Sequence, residues 1–350
     1  MKQLPMSKQL PGRERIELTE KNGGYRAFAI FLVACALLIA AFAISAVWKQ
    51  VDGNPFPGGE GSGGSLDNGT DTGSEGESGT EEESLEETDP AAEIPEGAVA
   101  IRDLDLAYLS LGEEYIHNET GYLPSVAALL CRELSVAAPT VLVLHTHSTE
   151  AYLPAGTSYI ESSMGDLSYS EDPESNVISV GKSFCEALEK KGITVLHCTV
   201  MHDDPTLRGS YERAAETIQA YLEKYPEICC VVDLHRDSVR DREGAYIRSV
   251  AEGTEEPTAQ LLCVVGTDGN GTPCEQWEKN LALALQLRRV LNAGGASLCR
   301  PVSLRNSSFN QELAPMSILL EVGCDANAIE EARRAAVRAG EALADLLLAD

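Results

Sequence analysis

Beyond about residue 140 the chain alternates short apolar runs with longer stretches whose apolar residues return every three or four positions. The runs Val141-Leu142-Val143-Leu144, Ile193-Thr194-Val195-Leu196-His197, Cys229 to Leu234, Ala259 to Gly266 and Ser317 to Gly323 are nearly continuous, which predicts strands buried on both faces. Between them, Asn176 to Lys191 places Val177, Val180, Phe184 and Leu188 on one helical face and is followed by Gly192. Ser210 to Lys224, Glu275 to Asn292 and Ala328 to Leu348 follow the same period and predict three further helices. Strands alternating with helices of this length argue an α/β fold, a single three-layer domain with a mostly parallel sheet covered on both faces. Ile101 to Leu134 has mixed periodicity and is expected to form a short helical lead-in. The polar stretch Ala151 to Glu174 is long enough to form a functional rim.

The amino-terminal part follows other rules. Ala27 to Trp48 carries no charge over 22 residues, enough at about 1.5 Å per residue to cross roughly 30 Å of hydrocarbon. A cleaved signal peptide competes, since Ala43-Ile44-Ser45-Ala46 loosely fits a cleavage site, but the length and the interfacial pair Trp48-Lys49 favour a retained anchor. Lys2, Lys8, Arg13, Arg15, Lys21 and Arg26 precede the span, which predicts a cytoplasmic amino terminus and an extracytoplasmic remainder. Val51 to Ala98 holds 14 acidic residues and no Lys or Arg among Gly and Ser, a composition that predicts a disordered, self-repelling tether. The expected organisation is a tail over 1–26, a transmembrane helix over 27–48, a linker over 49–98 and one catalytic domain over 99–350.

A formal net charge of -28 argues against nucleic acid as a partner. The ten cysteines show no framework spacing and no CxxC zinc pair, so most are expected to act as small buried hydrophobes.

Candidate chemistry collects at the ends of the predicted strands. Only six histidines occur, and two of them, with a glutamate, crown the first strand in His145-Thr146-His147-Ser148-Thr149-Glu150. His235 ends the Cys229 run, and Glu321 lies near the end of the Ser317 run. Parallel strands bring their carboxyl ends to one edge, where α/β folds bind ligands. His147 and Glu150 have the HxxE spacing that lets a turn present both groups to one ion, and His235 would be the third ligand of a Zn2+ site with an open position for water. In an extended strand His145 points to the same side as His147, so either is the first ligand. Glu321 is the candidate general base. Arg236 either pairs with Asp237 or binds a substrate carboxylate or carbonyl. His117, His197 and His202 are expected to be structural. No phosphate loop and no GxSxG elbow is present.

Several motifs in order carry a resemblance: His145 to Tyr152, Asn176 to Gly181, Gly209-Ser210-Tyr211-Glu212-Arg213, Asp233 to Ser238, Val264 to Thr267, Trp277 to Leu281, and Asn310-Gln311-Glu312-Leu313-Ala314-Pro315 through Glu321-Val322-Gly323. From about Thr140 to Asp350 the chain resembles the stage II sporulation protein P family of membrane-anchored cell wall hydrolases, related to zinc-dependent N-acetylmuramoyl-L-alanine amidases. The resemblance implies a zinc amidase/carboxypeptidase-like fold and cleavage of peptidoglycan at the muramic acid to L-alanine amide during engulfment, with cross-link cutting as a second activity. It also implies a partner lytic transglycosylase and a polytopic sporulation membrane protein. His145 or His147, Glu150 and His235 match the metal region, Glu321 the last carboxylate, and Asn310 and Gln311 are expected to bind substrate. Cys324 departs from the glycine common at that place, and its thiol is expected to point away from the site. The alternatives are a zinc peptidase or carboxypeptidase on the stem, or a non-catalytic peptidoglycan-binding scaffold.

Overall fold

The computed structural model describes residues 94–104, 115–164 and 166–349. Its strands are β1 (Val99–Asp103), β2 (Ile116–Asn118), β3 (Thr140–Leu144), β4 (Tyr159–Ile160), β5 (Thr194–His197), β6 (Ile228–Asp237), β7 (Tyr246–Arg248), β8 (Leu261–Gly266), β9 (Val302–Arg305) and β10 (Ser317–Cys324). The helices are α1 (Val126–Leu130), α2 (Val177–Lys190), α3 (Ser210–Lys224), α4 (Trp277–Leu291) and α5 (Ile329–Leu347). The expected tail, the membrane span over 27–48 and nearly all of the linker lie outside the described residues. Among the described residues no helix is long and apolar enough to cross a membrane.

Seven strands form the central sheet in the order β2-β9-β8-β10-β6-β3-β5. β10, β6, β3 and β5 are parallel to their neighbours, as are β8, β9 and β2, and the two groups meet antiparallel at β8 and β10. The sheet is therefore mostly parallel, as its apolar runs predict. The carboxyl ends of β3, β6 and β10 share one edge, while β8 delivers Gly266 to the other.

Alternation along β3 divides two apolar cores. Val141 and Val143 pack with α2, α4 and α5, while Leu142 and Leu144 join Ala214 and Ile218 of α3 on the opposite face. This is the three-layer arrangement, and burying each such side chain contributes about 1.5–3 kcal/mol. The four predicted helices and five predicted strands all form, with ends within three residues of expectation. Asn176 caps α2, its side-chain oxygen accepting from Ile178 N.

The helical lead-in is corrected. Residues 99–134 supply two short strands, β1 and the edge strand β2, and only α1 within them is helical among the described residues. β1 sits in a separate three-stranded sheet, β4-β1-β7, where Arg248 pairs with Asp103 and Arg102 with Asp241. No residue of β1 or β2 is fully buried, so their sequence carries a weak period. The nine described cysteines are free thiols, seven of them buried, in keeping with their reading as small hydrophobes.

Candidate metal centre

The β3 strand stops at Leu144, and residues 146–149 form a tight turn. Nearly every polar side chain in that turn is spent on holding it. Thr146 donates through N and Oγ1 to Asp233, at 2.8 and 2.6 Å. Thr149 donates in the same way to Asp203, at 3.0 and 2.6 Å, and His202 Nδ1 donates to the carbonyl of His145 at 2.8 Å. The turn reverses the direction of His147 and presents it with Glu150 beside the end of β6.

His147, Glu150 and His235 each offer a donor atom within 4.8 Å of the others, the group suited to a metal ion among the described residues. Glu150 lies 3.4 Å from His147 Nδ1 through one oxygen and 3.4 Å from His235 Nδ1 through the other. Its second oxygen also accepts from the backbone N–H of Arg236 at 3.0 Å. On the far side of its ring, His235 Nε2 stands 3.0 Å from Asp233 Oδ1, off the direction of a hydrogen bond and with no other partner. Burial would lower the His235 pKa, but the carboxylates of Asp233 and Glu150 hold it well above the ordinary value. Burial would likewise raise Glu150, yet His235 and His147 keep it below the usual carboxylate range.

Glu321 is paired in register with His235 across the parallel β10 and β6, so both side chains project from the same face. Its Oε2 is shielded from solvent and has no hydrogen-bond partner. Burial pushes the Glu321 carboxyl up to about 8, opposed by His235 and reinforced by Glu150 and Asp237. Such a group holds or releases a proton near neutral pH.

The structure does not bring every candidate together. His145 is fully buried and keeps the strand direction of Val143, so it faces α2 on the other side of the sheet from His235. Its Nδ1 donates to Leu234 O at 2.9 Å, which leaves Nε2 to accept from His197 Nε2 at 2.9 Å. Burial, and then the neighbouring His197, lowers the His145 pKa to about 3. Gly181 of α2 permits this packing, because a Cβ there would stand 2.5 Å from the His145 ring. His145 is thus structural and not a ligand: the equal orientation expected of His145 and His147 required an extended backbone, and the turn removes it.

Arg236 is also corrected. Alternation puts it opposite His235, and its guanidinium donates to Ala151 O at 2.8 Å, Ser168 O at 2.7 Å and Asp237 O at 3.3 Å. It braces the rim of the loop after Glu150. Gln311 is buried, with Nε2 donating to Val264 O and Oε1 accepting from Gly266 N, both at 2.9 Å. Asn310 donates to the carbonyl of Tyr211 at 2.8 Å. Gln311 is thus spent on holding β8 in place, while the Asn310 amide nitrogen is engaged by the start of α3. Cys324 turns to Ser249 Oγ at 3.4 Å, away from the cluster.

Two contributors carry no role in the sequence reading. Asp233 orients His235 and anchors Thr146, and its place two residues before His235 on one strand was a usable signal, since both share a face. Tyr211 stands edge-on to His147, ring centroids 5.5 Å apart and planes at 82°. Burial raises its phenol pKa, opposed by His235 and reinforced by Asp233, Glu321 and Glu150. No spacing rule points from the first turn of a helix to a site built on strand ends.

The sequence profile of the family described as stage II sporulation protein P matches residues 64–347. Stage II sporulation protein P of Bacillus subtilis (strain 168) is 27% identical over 217 residues, 59% of this chain and 50% of that protein. The chain spans about half the length of the curated relative it matches. Among solved structures, N-acetylmuramoyl-L-alanine amidase AmiC2 of Nostoc punctiforme is 17% identical, with 61% of this chain and 96% of that one covered and a TM-score of 0.35. The CwlD amidase from Clostridioides difficile, solved in complex with the GerS lipoprotein, is 14% identical with 59% and 94% covered and a TM-score of 0.34. Similarity this slight carries no argument about activity.

Proposed function

Since the chain belongs to the stage II sporulation protein P family, we propose that its residues 99–350 form a zinc-dependent peptidoglycan hydrolase that cleaves the amide between N-acetylmuramic acid and L-alanine during sporulation. The observation that carries this reading is the convergence of His147, Glu150 and His235 at one sheet edge, with Glu321 projecting from the same face. The donor set fits a divalent ion. Two imidazoles and one carboxylate are ligand types that zinc takes, and their donor atoms lie within 4.8 Å of one another. The Asp233 carboxylate behind His235 and the Arg236 N–H behind Glu150 supply the outer contacts that orient such ligands.

Bound there, the ion supplies Lewis-acid polarisation of a carbonyl and a water acidic enough to react near neutral pH. The chain's own work is proton handling and shape. Glu321 in its carboxylate form takes a proton from the attacking water and returns it to the departing amine, a role suited to a group balanced near neutrality. Arg236 fixes the loop from Ala151 to Ser168 as one wall of the entrance. The same proposal holds that residues 27–48 anchor the protein in the membrane with the amino terminus inside, that 49–98 tether the domain, and that a lytic transglycosylase and a polytopic membrane protein work beside it. The uncharged span and the excess of Lys and Arg before it support the anchor.

Digestion of purified peptidoglycan by the protein, with products separated by mass, tests the reading. Stem peptides released with free L-alanine amino termini support the amidase. Shortened stems still on glycan replace it with the peptidase, and binding without any cleavage replaces it with a scaffold.

A further inference from the structure

Tyr211 is the second residue of α3, and its ring is held on two sides. One side meets the edge of His147 at 5.5 Å between centroids, and the other meets Phe309 at 6.1 Å. Phe309 and Asn310 both adopt the left-handed backbone, with φ of 53° and 59°, and Asn310 Nδ2 donates to the Tyr211 carbonyl at 2.8 Å. Left-handed backbone at two successive non-glycine residues is a strained arrangement, of a kind that concentrates at functional sites. Here it fixes the residue that leans on a candidate metal ligand.

The Tyr211 hydroxyl itself has no hydrogen-bond partner among the described residues. Other tyrosines around the fold do use theirs. Tyr152 donates to Val322 O at 2.9 Å, and Tyr122 donates to Asp268 at 2.5 Å. Tyr211 is half-buried, yet its hydroxyl lies within electrostatic range of His235, Asp233, Glu321 and Glu150, which are the groups of the proposed centre. A rigid phenol beside such a centre is a preorganised donor, since it loses little freedom when it engages a substrate oxygen.

Resting on the hydrolase reading above, we propose that Tyr211 is a catalytic residue whose hydroxyl donates a hydrogen bond to the scissile carbonyl oxygen as that oxygen gains negative charge. The proton stays on the tyrosine throughout, so Glu321 alone carries the proton between water and amine. The interaction strengthens as charge develops and therefore acts on kcat more than on KM.

The test is Tyr211→Phe in the full chain, which keeps the ring against His147 and Phe309 and removes only the hydroxyl. Loss of one such donor lowers kcat by about 10²–10³-fold. KM, zinc affinity by competitive chelator titration and Tm stay within error of the unsubstituted protein. A phosphinate analogue of the muramoyl–alanine amide binds at least tenfold more weakly to Tyr211→Phe by calorimetry, a readout independent of turnover. An unsubstituted protein that cleaves peptidoglycan beside a Tyr211→Phe variant of equal kcat overturns the tyrosine role alone. So does a variant whose only change is a raised KM or a lost zinc ion. An unsubstituted protein that cleaves nothing overturns the hydrolase reading and this role with it.

Discussion

His145 and His147 differ in role because the strand ends between them. His145 completes an apolar face, where it joins Leu234 and His197 under Gly181, while His147 lies past the turn, beside Glu150. We expect His147→Ala to lose stoichiometric zinc, measured by elemental analysis after dialysis. His145→Ala keeps the metal but leaves a buried carbonyl and His197 without partners, which costs about 1–3 kcal/mol of unfolding free energy in urea titrations. Glu321 makes a separate prediction through pH. Its carboxyl has an ordinary value of 4.5 and rises to about 8 in the fold, so between those limits the folded state holds a proton that the unfolded chain has released. The resulting stability is present below about pH 4.5 and is lost as pH rises through about 8. In the metal-free protein, urea midpoints across that range should fall more steeply for the unsubstituted chain than for Glu321→Gln. Parallel curves would remove the raised carboxyl.

At the scale of elements, the site depends on what holds the turn and rim in place. Arg236 joins the end of β6 to the carbonyls of Ala151 and Ser168. Arg236→Ala should therefore speed hydrogen exchange in residues 151–168 by at least tenfold while exchange in β6 is unchanged, as read by mass spectrometry. The α2 helix is held to the sheet at Gly181, where a Cβ would stand 2.5 Å from the His145 ring. Gly181→Val should destabilise by about 1–3 kcal/mol through overpacking, measured as a shift in urea midpoint at constant slope. Continuous apolar runs and helical spacing make the long strands and helices legible in the sequence, because each buries a wide apolar surface. β1, β2, β7 and β9 are not legible there, since none carries a continuous apolar run like those of β3 and β5.

For the whole molecule, the proposed ligands come from the turn after β3 and from the end of β6, so a zinc ion bound as proposed should act as a clamp between them. A ligand that binds only the folded state adds RT ln(1 + [L]/Kd), about 4 kcal/mol at a thousandfold excess over Kd. Chelation should lower Tm by several degrees and re-addition of zinc should restore it; a Tm indifferent to both would count against a metal bond between the turn after β3 and the end of β6. His147, Glu150, His235 and Glu321 were legible as strand-end groups of the right donor chemistry, and so were the α/β class and the three layers, because burial and ligand chemistry are properties of residue type and local spacing. The face of His145, the use of Arg236 and Gln311 as braces, the antiparallel meeting of β8 with β10 and the approach of Tyr211 to His147 were decided only by tertiary structure. Strand register and direction determine which side chains share a face, and they are set by hydrogen bonds between segments far apart in the chain, which no local pattern encodes.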